Sequence, residues 1–296
     1  MLKNHQPPLD VDSQIENLIS IGLIVADREY AASFLNDVSY FRLIKAFSLG
    51  LKHRNGNYHP EITFEQIVDL YKFNCDFRQL LFSIIERIEV NLRCRLGNYF
   101  SSQYGILGYE NPDNFVNPAY HSELIEDIEQ EIGRNPKSPF VKNFRDNYVD
   151  SKIPMYAVVE LFSFGTLSKF FKNMKAPDKK AVAQKYGVGY TYFESWIENI
   201  AYVRNLCAHY GRLYNAKLSK TPILYKQYSE VGIGNQRIYA TLLCIKHLVP
   251  LDDHWFHFVQ NMKAIIAEHP FAKLNLMGFP GNWEYYLGNT EASDRS

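Results

Sequence analysis

Thr63-Phe-Glu-Gln-Ile-Val-Asp-Leu-Tyr-Lys-Phe-Asn-Cys-Asp-Phe-Arg-Gln-Leu-Leu-Phe-Ser-Ile-Ile-Glu-Arg-Ile-Glu-Val-Asn-Leu-Arg-Cys-Arg-Leu-Gly-Asn-Tyr99 is the stretch that decides the fold. Ile67, Leu70, Phe77, Leu81, Ile84, Ile88, Leu92, Leu96 and Tyr99 recur mostly at three and four residues, the period of one helix face. Thr63 followed by Gln66 is a capping-box pattern. No proline interrupts the run before about Tyr104. The pattern predicts one amphipathic helix on the order of 60 Å long at 1.5 Å per residue. A helix of that length serves as a bundle spine or a dimer surface.

Outward from this helix the periodicity stays helical and no segment reads as a strand. Toward the N-terminus, Asp12 or Ser13 is the expected cap of a first helix carrying Ile15, Leu18 and Ile19, after a loose arm over 1–11. Helices are expected from Arg28 to Asn36 and from Tyr40 to Lys52. Val38 to Pro60 has no acid but carries Arg42, Lys45, Lys52 and Arg54 among Tyr40, Phe41, Phe47 and Tyr58. Such interleaving either serves RNA phosphates and bases or combines core aromatics with a solvated cationic face.

Beyond the long helix, 105–118 reads as a loop. A short acidic helix with Glu123, Glu126, Asp127, Glu129 and Glu131 follows, then a helix over Phe140 to Tyr148. The acidic helix is a solvated face, or a screen across a basic groove. Met155 to Asn173 is apolar first and basic later. From Lys169 to Lys185 there are six lysines and one acid, Asp178. Lys169, Lys172 and Lys175 therefore form the best local footprint for phosphate, or a solubility device at a helix end. Gly187 and Gly189 interrupt before the next helix, expected from Tyr190 to Tyr210. Later helices are expected over Arg237 to Leu248 and Trp255 to Ala267, with a frayed polar tail after Leu287. His254 and His257, at i,i+3, lack a third clustered metal ligand. N-capping by Asp252 and Asp253 explains that stretch better.

The chain is 296 residues with 32 Lys plus Arg against 32 Asp plus Glu, and with 21 Tyr and 20 Phe. That composition is globular and excludes a strongly basic nucleic-acid binder, though not a locally basic face. The four cysteines, Cys75, Cys94, Cys207 and Cys244, form no C-x-x-C pair. They read as reduced thiols in a cytoplasm. The N-terminus has no apolar core for a signal peptide, and no apolar run approaches the roughly 20 residues of a membrane span.

Chemistry concentrates in Tyr202-Val-Arg-Asn-Leu-Cys-Ala-His-Tyr-Gly-Arg-Leu-Tyr-Asn215. At about 100° per residue, setting Asn205 at zero puts His209 near 40°, Arg212 near −20° and Tyr202 near 60°. Those four share one face; Arg204 lies about 100° aside, with a side chain long enough to swing to its edge. A histidine moves protons near neutral pH, and arginine holds phosphate through a planar fork. No carboxylate occurs from Tyr202 to Gln227. The face therefore suits metal-free cleavage of a phosphodiester attacked by its own 2′-hydroxyl, which means RNA. It equally suits a histidine satisfied by Asn205 in a helix interface.

Arg204-Asn205-x-x-x-His209 resembles the R-N-x-x-x-H signature of HEPN domains, and the longer string is similar to that of the Abi family, the abortive-infection proteins of the AbiD and AbiF kind. Asn36-Asp-Val-Ser-Tyr-Phe-Arg-Leu43, Asp76-Phe-Arg-Gln-Leu-Leu81, Ile85-Glu-Arg-Ile-Glu-Val-Asn-Leu-Arg93, Glu160-Leu-Phe-Ser-Phe-Gly-Thr-Leu-Ser-Lys169 and Met277-Gly-Phe-Pro-Gly-Asn-Trp283 agree with it. The resemblance implies a metal-independent endoribonuclease acting as a homodimer in a phage-defence or toxin-like setting, without a cofactor. The expected fold is all-α: an N-terminal helical segment over 1–62, a HEPN-like bundle over 63–250 and a C-terminal helical segment over 251–296. On this reading His209 is the general base or acid and Arg204 stabilises phosphoryl charge. Asn205 orients the ring or the phosphate, and Arg212 binds a flanking phosphate. Two readings stand beside it: a non-catalytic module binding a partner non-coding RNA, and a structural dimer with Asn205 and His209 as buried interface polars.

Overall fold

The computed structural model describes residues 7–148, 150–249 and 253–288. The periodic run is one helix, α3 (Phe64–Tyr104), 41 residues long. Thr63 Oγ1 accepts from the Gln66 N–H at 3.2 Å, and Gln66 Oε1 accepts from the Thr63 N–H at 3.3 Å, closing the capping box. Gly105, at φ 81°, ends the helix in a conformation that suits glycine. Its buried stripe includes Ile67, Leu70, Phe77, Leu81, Ile84, Ile88, Leu92 and Leu96. Each such side chain contributes roughly 1.5–3 kcal/mol on leaving water.

Before α3 come α1 (Val11–Ser20) and α2 (Arg28–Asp37), which pack on each other. Asp10, not Asp12 or Ser13, caps α1, by accepting from the Ser13 N–H at 2.7 Å. The chain between α2 and α3 is tied down by Ile24, whose N–H donates to Ile62 O and whose carbonyl accepts from the Phe64 N–H. The helix expected over Tyr40 to Lys52 is shorter, and its centre, Phe41–Lys45, is a π-helical turn. Such turns are wider than α and recur at functional positions.

After α3, two 3₁₀ turns occupy the expected loop. Then follow α4 (Pro118–Arg134), α5 (Pro139–Asn147), the short α6 (Met155–Val158), α7 (Phe164–Asn173), α8 (Ala176–Gln184) and α9 (Tyr190–Ala208). The Met155 to Asn173 segment breaks because Ser163 caps α7, its Oγ accepting from the Thr166 N–H at 3.0 Å. The C-terminal part holds α10 (Lys226–Glu230), α11 (Ile238–Leu248), α12 (Asp253–Glu268) and α13 (Trp283–Gly288). The expected capping by Asp252 and the polar tail past 288 lie outside the described residues. Nothing but isolated bridges represents β structure among the described residues. The fold is all-α, as the periodicity predicts. No helix among those residues is long and apolar enough to cross a membrane.

Helix α9 packs against α3, α7, α8 and α11. Helix α11 is buried on nearly every side. Helix α12 lies along α3, where buried His269 places Nδ1 2.7 Å from Asp69 Oδ1 and Nε2 3.1 Å from Asp76 Oδ2. At the far end of α3, Tyr99 and Tyr104 both donate to buried Asp178 of α8, at 2.7 and 2.6 Å.

Burial first, and then the Asp178 hydrogen bond, push the Tyr104 phenol up to about 12. The same causes raise Tyr99 above its ordinary value. The fold thus prefers the neutral phenols. Their contribution is complete below the ordinary value of 10.0 and is lost as pH rises toward about 12. The urea midpoint is expected to hold level up to about pH 9 and to fall through the interval above it. A midpoint unchanged at pH 12 would contradict this linkage.

Candidate functional site

The motif helix ends earlier than its spacing predicts. Helix α9 stops at Ala208, and His209 is its C-cap at φ −97°, ψ 23°. Tyr210 follows in the left-handed region at φ 58°. Its N–H donates to Cys207 O at 3.3 Å, and the Gly211 N–H donates to Leu206 O at 2.6 Å. That pair of bonds is a Schellman motif, with a tyrosine where glycine is usual. Gly211 is needed beside it, because a Cβ there would meet Leu206 O at 2.9 Å. A left-handed non-glycine residue costs about 1–2 kcal/mol and marks a position held by its surroundings.

The holding group is Asn74 of α3, which is 3% exposed. Its Oδ1 accepts from the N–H groups of Leu213 and Tyr214 at 2.7 and 3.1 Å, and its Nδ2 donates to Gly211 O at 3.4 Å. Arg42 Nη1, from the π-turn, donates to Tyr210 O at 3.3 Å. The segment after His209 is therefore fixed from two sides.

Three expectations need correction. Arg212 does not continue the helical face, since the chain has left the helix; its Nη1 donates to Tyr214 O and Asn215 O at 3.0 and 3.4 Å. Arg204 does not swing toward His209. It turns to α3, with Nε 3.1 Å from Glu89 Oε2 and its guanidinium 5.4 Å from the Phe82 ring centre. A carboxylate is thus present at the site although none is near in sequence. Glu89 also accepts from Arg93 Nη2 at 2.8 Å, an i,i+4 pair within α3. Among the described residues only the Nε of Arg204 takes part in a hydrogen bond, so its two terminal nitrogens bond to none of them.

Asn205 and His209 do share a face, and both are exposed. Neither side chain hydrogen-bonds to a described residue, so Asn205 does not satisfy the imidazole within this chain. Cys207, two residues earlier, is buried, which pushes its thiol up to about 12. It is no thiolate nucleophile at neutral pH. Among the described residues no cluster of three His, Cys, Asp or Glu side chains could hold a metal ion.

Beside Asn205 opens a groove of about 410 Å³, lined by α4, α7 and α9. Lys169 and Lys172 face it, with Tyr202 and Asn205. The lysine footprint is divided: Lys175 lies outside the groove, 5.9 Å from the Tyr104 ring centre. Lys172 and Lys220 both approach Glu198, at 3.7 and 2.9 Å. Those lysines hold the Glu198 carboxyl below its usual range. Glu123 and Asp127 of α4 line the same groove, so the acidic helix does stand across from lysines.

Sequence reading missed Arg78, Asn74 and Glu89, which α3 delivers to the motif from over a hundred residues away. The i,i+4 spacing of Asn74 and Arg78 is their only local signal. Asn74→Ala would strand the buried N–H groups of Leu213 and Tyr214, each worth about 1–3 kcal/mol. A loss of about 2–4 kcal/mol in urea unfolding is expected, with faster amide exchange at Leu213 and Tyr214. Wild-type exchange in this variant would contradict the anchoring role.

Searches among curated proteins and among solved structures gave no significant match. The model of the Abi-like protein family matches residues 33–215, more than half of the 296-residue chain. The matched span runs from within α2 to Asn215, and so includes the π-turn, α3, α9 and the turn that follows it. The chain belongs to the Abi-like protein family, and that membership suggests a part in abortive-infection defence.

Proposed function

We infer that this protein is a metal-independent endoribonuclease of the HEPN type, serving an abortive-infection or toxin-like system as a homodimer in the cytoplasm. The observation that carries the reading is the state of His209. A histidine kept for packing is buried and bonded, as His121 is, with Nε2 2.9 Å from Tyr109 O. His209 is exposed and makes no hydrogen bond to a described residue, with Asn205 on the same face.

His209 would take the proton from the 2′-hydroxyl, or give one to the leaving 5′-oxygen. The terminal nitrogens of Arg204, oriented through Nε by Glu89, would meet the charge that develops on phosphorus oxygens. Asn205 would steer the phosphate or the ring. One histidine serves as base or as acid but not both at once, so a two-fold pair of motif helices would complete the chemistry. An exposed Asn205–His209 face is compatible with such pairing. The alternative is a non-catalytic module for a partner non-coding RNA. One observation favours it: Glu89 already neutralises part of the Arg204 charge.

Cleavage of a labelled single-stranded RNA is expected to survive EDTA and to leave a 2′,3′-cyclic phosphate and a 5′-hydroxyl. His209→Ala should abolish it, and Arg204→Ala should lower it by about 10² or more, the scale of losing one preorganised charge donor. Light scattering should give a dimer. If His209→Ala cuts as fast as the parent, the nuclease reading fails. If the parent binds RNA through this face and never cuts, the binding module replaces it.

A further inference from the structure

A second recess, of about 290 Å³, opens beside the turn that follows His209. The π-turn, α3 and the turn itself build it. Its lining includes Arg42, Arg78 and Arg212, with Phe41 and Tyr210, and it contains no acid. None of the three arginines forms an ion pair with a described residue. Arg78 is 8% exposed, yet it donates no hydrogen bond to a described residue. The Arg42 and Arg78 guanidinium carbons stand 5.7 and 5.3 Å from the centre of the Tyr210 ring. Burial and the nearby Arg237 hold Arg212 below its ordinary value.

Two guanidinium groups against one ring, with a third lining the same recess, repel each other, and a buried cation without a carboxylate is costly. Such a convergence is relieved by an anion that accepts from several planar forks, and phosphate does so. The aromatic groups say which kind of phosphate. Phe41 is 79% exposed and Tyr210 is 66% exposed. Large exposed rings beside a phosphate site are surfaces on which unpaired bases stack. The recess is close to the lower end of ligand-pocket volumes, room for a phosphate and part of one nucleotide rather than a duplex. The groove beside Asn205 is larger but mixed in sign, so a phosphate is better placed among the arginines.

We propose that Arg42, Arg78 and Arg212 bind a backbone phosphate of single-stranded RNA, with an adjoining base stacked on Phe41 or Tyr210. This deepens the nuclease reading and rests on it for the identity of the polymer. Tyr210 directly follows His209, so the recess would hold the strand next to the bond presented to the imidazole. It also explains the strained backbone of Tyr210: the left-handed turn sets the ring between Arg42 and Arg78.

The test uses the full chain carrying His209→Ala, so that RNA stays intact. Anisotropy of a fluorescent oligoribonucleotide is followed against salt, beside a duplex of the same sequence and a free nucleoside monophosphate. Phe41→Ala removes an exposed ring, and Tyr210→Gly removes a ring while suiting the left-handed backbone, so both should fold. At least one of the two should weaken single-strand binding by about 5- to 100-fold, the scale of one base–aromatic stack. Arg42→Ala should weaken it too and reduce the log–log salt slope by roughly 0.7. Duplex binding and free-nucleotide binding should be weaker from the outset.

Unchanged single-strand affinity in all three variants overturns the proposal. So does a free nucleotide or a duplex that binds as tightly as the single strand. Cleavage is measured in parallel with His209 restored. RNA bound through these residues but never cut leaves the recess standing and removes the nuclease. RNA cut by a protein whose Phe41, Tyr210 and Arg42 variants bind normally does the reverse.

Discussion

Three hydrogen bonds from one buried side chain hold the turn that carries the candidate site. The Asn74 amide accepts from Leu213 and Tyr214 and donates to Gly211. Asparagine suits the task because its amide offers acceptor and donor from one planar group. An aspartate would lose the donor and set a negative charge beside Arg78 and Arg212. Because α3 is a single long helix packed along its length, Asn74 is a rigid anchor. The turn after α9 is therefore positioned by the spine of the bundle. His209, left-handed Tyr210 and Arg212 take their places from that anchor, and Arg42 reaches the same turn from the N-terminal segment.

Charge follows the same logic. The chain as a whole is neutral, so any affinity for a polyanion must come from local segregation. Along the groove beside Asn205 segregation is incomplete, since Glu198, Glu123 and Asp127 share the lining with the lysines. Around Tyr210 it is complete within the lining residues. Arg204 occupies a middle case. Glu89 holds its Nε, which fixes the fork in space and still leaves donors for a ligand. A fixed, partly compensated arginine is better preorganised than a free one, at the cost of some field.

Much of the fold is legible in the sequence because helical periodicity is a local property. The capping box at Thr63, the run to Tyr104, the glycines before α9 and the prolines at the starts of α4 and α5 each act within a few residues. The site is legible in part for the same reason: Asn205 and His209 lie one turn apart on a helix that does form. What could not be read depends on chain stop and on distance. Gly211 gives a stop signal, yet the wheel extended past it and placed Arg212 on a face it does not reach. Glu89 and Arg78 are i,i+3 or i,i+4 members of α3 whose partners lie on α9 and the turn beyond it. Their meeting is fixed by packing, which no spacing within either segment encodes. The aromatic residues of the N-terminal segment divide similarly. Phe47 and Tyr58 are core, whereas Phe41, in the π-turn, is exposed beside Arg42.

The central claim is that one RNA strand runs across the turn after α9, past His209 and into the arginine recess beside that turn. A structure of the protein bound to a single-stranded RNA with 2′-deoxy at the scissile nucleotide tests it most directly, because that strand cannot be cut by its own hydroxyl. The account predicts a phosphodiester within hydrogen-bond reach of the His209 ring and a neighbouring phosphate among Arg42, Arg78 and Arg212. A strand seated only along the lysine side of the groove, with His209 and the arginines untouched, would contradict it.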